Sequence, residues 1–211
     1  RIEDGAFSGT SLTGTILLPE GLKYVSGFPA TKITNVRFPS TLEEIGFCAF
    51  QNCQSLMCEI SFPTSLKSIG EGAFCASSIS GNLVLPENVE TIGSSAFQNC
   101  LGLTGSLVIP DKITSIPNAT FLSCGFTGTL TLPKRLVEIG GQAFAYTPFK
   151  GELNIPETVN TIEFAAFSGT LFNGTLVLPS ELIYLGDEVF RNCWRLSGVV
   201  EIPENLIAIP S

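Results

Sequence analysis

Leu85-Pro86-Glu87-Asn88-Val89-Glu90-Thr91-Ile92-Gly93-Ser94-Ser95-Ala96-Phe97-Gln98-Asn99-Cys100 is one turn of a pattern that fills the chain. A proline returns every 23 or 24 residues, at Pro39, Pro63, Pro86, Pro110, Pro133, Pro156 and Pro179. A phenylalanine follows eleven places later each time, at Phe50, Phe74, Phe97, Phe121, Phe144, Phe167 and Phe190. Pro19 and Pro203 extend the series, and Phe7 closes a repeat whose start is expected before residue 1. A fixed period of this length means one supersecondary unit stacked on copies of itself, each burying its apolar face against its neighbours.

The residues before the proline alternate. In Thr175-Leu176-Val177-Leu178-Pro179 the leucines point inward and Val177 outward, the period of two of a strand with one buried face. The inward pair recurs as Ile60/Phe62, Leu83/Leu85, Leu107/Ile109, Leu130/Leu132, Leu153/Ile155 and Val200/Ile202. Equivalent strands of successive coils can pair only in parallel, and proline ends each one because it brings no N–H to a ladder. Beyond it come pairs such as Leu66/Ile69, Val89/Ile92 and Leu182/Leu185, whose three-residue spacing suits either a turn of 3₁₀ helix or a second short strand. Glycine follows at Gly46, Gly70, Gly93, Gly140 and Gly186, where a positive φ or a tight corner is expected. Ala-Phe then gives each coil one small and one large core residue, so the phenylalanines should stack into a column.

An apolar residue seven places before each proline completes the coil, and the difference between 23 and 24 falls in the loop that precedes it. Only the interval from Pro19 to Pro39 departs, at 20 residues, with Gly27-Phe28-Pro29 in place of the Ala-Phe segment. It reads as a drifted terminal repeat or as a local bulge that shapes a contact.

The quoted stretch resembles the BspA-like leucine-rich repeat, roughly L-x-I-P-x-x-V-x-x-I-G-x-x-A-F-x-x-C, and the likeness runs through essentially the whole chain. Departures are mild: Pro117 and Glu163 replace the glycine, Thr120 and Val189 the alanine. The resemblance implies a right-handed leucine-rich-repeat solenoid, with a parallel β-sheet on the concave face and short turns or 3₁₀ segments elsewhere. It also implies the surface leucine-rich repeat proteins of bacteria and protists, with adhesion and host-protein binding as their themes. Residues 1–211 are expected to form one such domain of about nine repeats, cut within a repeat at Arg1-Ile2-Glu3-Asp4-Gly5-Ala6-Phe7 and again at Ile209-Pro210-Ser211, as a piece of a longer protein whose signal and anchor lie elsewhere.

Composition narrows the chemistry. Hydrophobic residues make up 44% and charged ones only 14%, against roughly 25% charged in ordinary soluble domains, as a continuous apolar column demands. A net charge of −8, with basic residues scattered, argues against a nucleic-acid surface. No stretch approaches the roughly 18 apolar residues of a membrane span. The chain has no histidine, which removes Ser-His-Asp and Cys-His catalysis and every His-ligated metal site. A non-catalytic, monomeric protein without cofactor or metal is expected.

Four of the seven cysteines, Cys53, Cys100, Cys124 and Cys193, sit three residues after the phenylalanine, where other coils carry Thr10, Ser77, Thr147 and Thr170. A slot that takes Cys, Thr or Ser alike wants a small, weakly polar side chain facing a neighbouring coil. Cys100 and Cys124 are the one pair whose expected spacing, roughly 5 Å, would permit a disulfide. Acids follow the prolines at Glu20, Glu87, Asp111, Glu157 and Glu204, read as caps on backbone N–H groups rather than as a calcium ladder. Asn118 and Asn173 begin glycosylation sequons that would matter only in a eukaryotic source.

The candidate ligand face is the outward row Arg37, Ser61, Val84, Val108, Thr131, Asn154, Val177 and Glu201, with Leu17 ahead of it. Solenoids bind through such extended faces, although this one lacks the Trp, Tyr and Arg that anchor most interfaces. Two functions remain open: a cell-surface or secreted binding and adhesion module for a protein or glycan partner, or a spacer that projects another domain.

Overall fold

Beyond each repeat proline from Pro19 to Pro179 the chain forms a strand, not a 3₁₀ turn. In the computed structural model, which describes residues 1–207, the strands Tyr24–Val25, Glu44–Ile45, Ser68–Ile69 and Thr91–Ile92 pair in parallel as one ladder. Ser115–Ile116, Glu138–Ile139, Thr161–Ile162 and Tyr184–Leu185 form a second. The register is constant, with Val25, Ile45, Ile69 and Ile92 opposite one another and buried. The architecture is a parallel-strand solenoid of about eight turns with no helix among the described residues. The expected terminus at Ile209-Pro210-Ser211 lies outside them.

The strands before the proline pair more sparsely. Thr13–Leu17 pairs with Lys32–Arg37, and Leu107–Val108 with Leu130–Thr131. Segments 60–62, 83–85, 153–155 and 176–178 carry no ladder, yet Leu83, Leu85, Leu153, Ile155, Leu176 and Leu178 are buried as the alternation requires. Burial of alternate side chains, rather than continuous hydrogen bonding, holds this side of the coil.

Around each phenylalanine of the full-length coils two residues take left-handed φ, one two places before it and one two places after, whereas Phe28 of the short coil has only Ala30. Cys48 and Asn52 flank Phe50, Ser95 and Asn99 flank Phe97, and the series runs to Glu188 and Asn192. An L-residue pays roughly 1–2 kcal/mol for that conformation. The hydrogen bonds explain why it persists: Cys48, Phe50 and Asn52 donate N–H to Glu71, Ala73 and Cys75 of the next coil at 2.9, 2.7 and 2.9 Å. The residues between them close tight turns, Gln51 donating to Cys48 at 3.2 Å. Every second N–H of the segment therefore points along the solenoid.

Of the two expectations for the repeat glycines, the tight corner holds and the positive φ does not: Gly46, Gly70, Gly93 and Gly140 each accept from the N–H three residues on, at 3.2–3.4 Å. None of Gly46, Gly70, Gly93, Gly140 and Gly186 has a positive φ. A Cβ on Gly70 would lie 2.7 Å from the Gly46 carbonyl carbon, and one on Gly93 would press on the Glu71 nitrogen. Close approach of successive backbones, not φ, excludes a side chain there.

The expected aromatic column is continuous. Nine rings from Phe7 to Phe190 stack at centroid distances of 4.9–5.8 Å, and those of Phe50, Phe74, Phe97, Phe121, Phe144 and Phe167 are fully buried. In the short coil between Pro19 and Pro39 the phenylalanine slot is filled by Phe28, and the hydroxyl of buried Ser26 donates to the Phe47 carbonyl at 2.6 Å. In full-length coils that carbonyl position accepts a backbone N–H, so a side chain substitutes for residues that the deletion removed.

Candidate functional site

All eight residues of the expected face are exposed. Arg37 stands opposite Leu17, and Thr131 opposite Val108, in parallel register. Val84 and Val108 border a depression of about 340 Å³ with Asn82 and Ser106, just beyond the point where the ladder of Ser80–Asn82 with Gly102–Thr104 ends. Asn154 and Val177 border another of about 420 Å³, which also carries Glu152 and Glu157. Leu17, Val84, Val108 and Val177 are more than half exposed, so the row presents aliphatic side chains interleaved with polar ones, Val84 and Val108 being the one adjacent pair.

The small-residue slot behaves as the sequence suggests. Cys53, Cys100, Cys124 and Cys193 each donate Sγ–H to the carbonyl of Phe28, Phe74, Phe97 and Phe167 in the coil behind, at 3.0–3.2 Å. Thr147 does the same to Phe121 at 2.7 Å, whereas Thr170 bonds the carbonyl of its own Phe167. All seven cysteines are free thiols. Burial pushes the Cys100 thiol up to about 12 and raises that of Cys124 well above its ordinary value, so neither is a nucleophile at neutral pH.

Three of the five acids beyond the prolines, Glu20, Asp111 and Glu157, cap backbone, and they cap the coil ahead. Glu20 accepts from the N–H and hydroxyl of Ser40 at 3.1 and 2.9 Å, Glu157 from those of Ser180 at 2.8 and 3.0 Å, and Asp111 from the Lys134 N–H at 3.1 Å. The sequon asparagines are exposed, and their side-chain oxygens accept from the N–H of Gly141 and Gly151.

Two features escaped the sequence reading. Lys23, Lys67 and Lys112, scattered in sequence, meet Glu43 and Glu90 around one groove of about 420 Å³. Glu43 takes both Lys23 and Lys67, at 2.8 and 2.7 Å, while Lys112 reaches Glu90 at 3.5 Å and Asn88 at 3.1 Å. Acids and bases interleave there, so the groove presents no single sign of charge. The signal was available: these residues share the slots two and four beyond the proline. The second feature is the set of large apolar side chains on the loop edge, where Met57, Leu101, Tyr146 and Trp194 are exposed away from the expected face.

Comparison with known proteins accounts for the fold. The model of the BspA type leucine rich repeat region matches residues 1–104 and 104–211 in six copies, and the chain belongs to that family. No curated protein matches the sequence. A leucine-rich repeat protein from Bacteroides ovatus, solved by crystallography, is 22% identical over 92% of this chain and 57% of its own, with a TM-score of 0.62. One from Eubacterium ventriosum is 16% identical over 91% of this chain and 54% of its own, with a TM-score of 0.53. A leucine rich cell surface protein from Faecalibacterium prausnitzii is 23% identical over 89% of this chain and 46% of its own, at 0.49. The first two are likenesses of fold alone. The chain spans about half the length of these structures.

Proposed function

We propose that the protein is a non-catalytic binding or adhesion module, at the cell surface or secreted, that meets a protein or glycan partner as a monomer through the row from Arg37 to Glu201. Family membership supports the class, since leucine-rich-repeat solenoids are typically binding scaffolds. The observation that carries the site is the set of exposed aliphatic side chains Leu17, Val84, Val108 and Val177 with two depressions, on strand segments whose alternate apolar residues are buried. No helix of the described residues is long and apolar enough to cross a membrane.

The spacer reading is favoured by a different observation: the unbroken aromatic column is a stiff axis, and the row has no aromatic anchor. One experiment separates the two. The 211 residues are tested against arrays of host proteins and glycans, beside Val108→Asp and Val177→Asp variants. Binding that both substitutions abolish supports the module and its face. Binding that neither affects moves the partner elsewhere, and silence across both arrays leaves the spacer.

A further inference from the structure

The loop from each core phenylalanine to the next apolar anchor has two lengths. It spans six residues from Phe50 to Leu56, Phe97 to Leu103 and Phe190 to Leu196. It spans five from Phe74 to Ile79, Phe121 to Phe126, Phe144 to Phe149 and Phe167 to Phe172. Three of the short loops carry a phenylalanine anchor, whose ring meets the column edge-on at 6.1–6.3 Å. The fourth does not: Ile79 joins the short loop to a smaller anchor, and it lies between two long loops. The loop edge is therefore notched at that coil.

The notch is a cavity of about 630 Å³, within the range of specific ligand sites. Met57 and Leu101 belong to the flanking coils and are 73% and 72% exposed, while Ala76, Ser77 and Ser78 form the floor. The Gln54 amide reaches across to donate to the Ala76 carbonyl. Met57 and Leu101 are two coils apart, roughly 10 Å at strand spacing, a gap that admits one extended chain. In a molecule of net charge −8, no lining residue is charged, so nothing there would hold a phosphate, a carboxylate or an ammonium group. No aromatic ring lines it either, which removes the usual platform for a sugar. Flexible aliphatic lips over hydroxyl and amide groups are instead the complement of a neutral peptide, whose side chain wants apolar contact and whose backbone wants hydrogen bonds.

We propose that this notch is a docking site for an uncharged extended peptide segment, which places one large aliphatic or aromatic side chain between Met57 and Leu101. Gln54, Asn99 and Ser78 meet its backbone, while the Ser77 hydroxyl is turned to the buried Cys100 thiol. The site is on the loop edge and stands independently of the strand-face reading.

A displayed library of linear peptides, panned on the 211-residue chain, tests it. Enriched peptides are expected to be neutral around one Leu, Ile, Phe or Trp. They should bind Leu101→Asp and Ser78→Trp about tenfold more weakly or worse, the range of a lost hot spot, while Val108→Asp leaves them unchanged. Ser78→Trp fills the floor while leaving both lip residues in place, and circular dichroism confirms that both variants keep the fold. Equal binding to both variants, or no enrichment, overturns the proposal. So does a neutral oligosaccharide that binds the wild type and is lost in both variants while no peptide binds.

Discussion

Coils built on Phe50, Phe74 and Phe97 differ from those built on Phe121, Phe144 and Phe167 at two slots that the repeat leaves free. The apolar anchor is Leu56, Ile79 and Leu103 in the first set and Phe126, Phe149 and Phe172 in the second. Four residues beyond the proline, the first half of the stack carries Lys23, Glu43, Lys67 and Glu90, and the second carries Thr114, Val137, Asn160 and Ile183. Adjacent coils are thus joined outside by ion pairs in one half, where the second aromatic file is only the half-buried pair Phe38 and Phe62 at 5.9 Å, and inside by a fully buried second file in the other. Phe126, Phe149 and Phe172 stack at 5.3 and 5.9 Å beside the main column. Exposed ion pairs contribute a few tenths of a kcal/mol each, whereas a buried aromatic pair adds about 0.5–1.5 beyond its burial. In a stack whose stability is a sum of neighbour terms, the second half should be the more tightly coupled.

The largest test of that difference compares two buried rings. Phe97 makes only stacked ring contacts, to Phe74 and Phe121 at 5.5 Å each. Phe144 has two stacked neighbours and also meets Phe149 at 6.1 Å and 70°. Either truncation to alanine should cost about 3–5 kcal/mol in a urea titration. Phe144→Ala should exceed Phe97→Ala by roughly 0.5–1.5 kcal/mol. Equal losses would mean that the second aromatic file only fills space.

A smaller effect is expected at the glycine slot. Gly93→Ala drives a methyl group into the Glu71 backbone and should cost about 1–3 kcal/mol, read from the same titration. The second half already carries a side chain at this slot: Glu163 follows the Gly140-Gly141 pair by one coil, and its carboxylate accepts from the Gly141 N–H at 3.0 Å. Glu163→Ala should therefore cost less than Gly93→Ala. The reverse order would show that the slot excludes side chains for some reason other than the backbone beneath it.

These slots also mark how far the sequence could be read. The solenoid, the phenylalanine column, the thiol-or-hydroxyl slot and the capping acids were legible because each is one residue type repeated at one position. The choice between 3₁₀ turn and strand at Val89/Ile92 was not, since two apolar residues three apart satisfy both and only pairing with the next coil decides. The corner at the glycines was legible, but not why glycine fills it: φ is a local property, while the Gly93 constraint comes from Glu71, one coil away. The left-handed residues gave little signal: Asn52 and Asn99 suit that conformation, but Tyr146 and Glu188 hold it only because their coils impose it. The notch was hidden for the same reason, as it depends on the lengths of three successive loops and belongs to none of them.

The smallest effect probes the ion pairs. Lys23 and Lys67, by hydrogen bonds and by charge, hold the Glu43 carboxyl down to about 2, against an ordinary value of 4.5. A group whose value is depressed by folding stabilises the fold above its unfolded value, and that contribution is lost as the pH falls through its folded one. Glu43→Gln should therefore melt slightly below the wild type at pH 7 in low salt. The gap should close between about pH 4.5 and 2. It should also close at pH 7 in 1 M salt, where the screening length is only about 3 Å. A gap that survives both acid and salt would not be electrostatic. The lysine–glutamate slots would then join coils by packing, as the aromatic file does, and the contrast between the two halves would collapse.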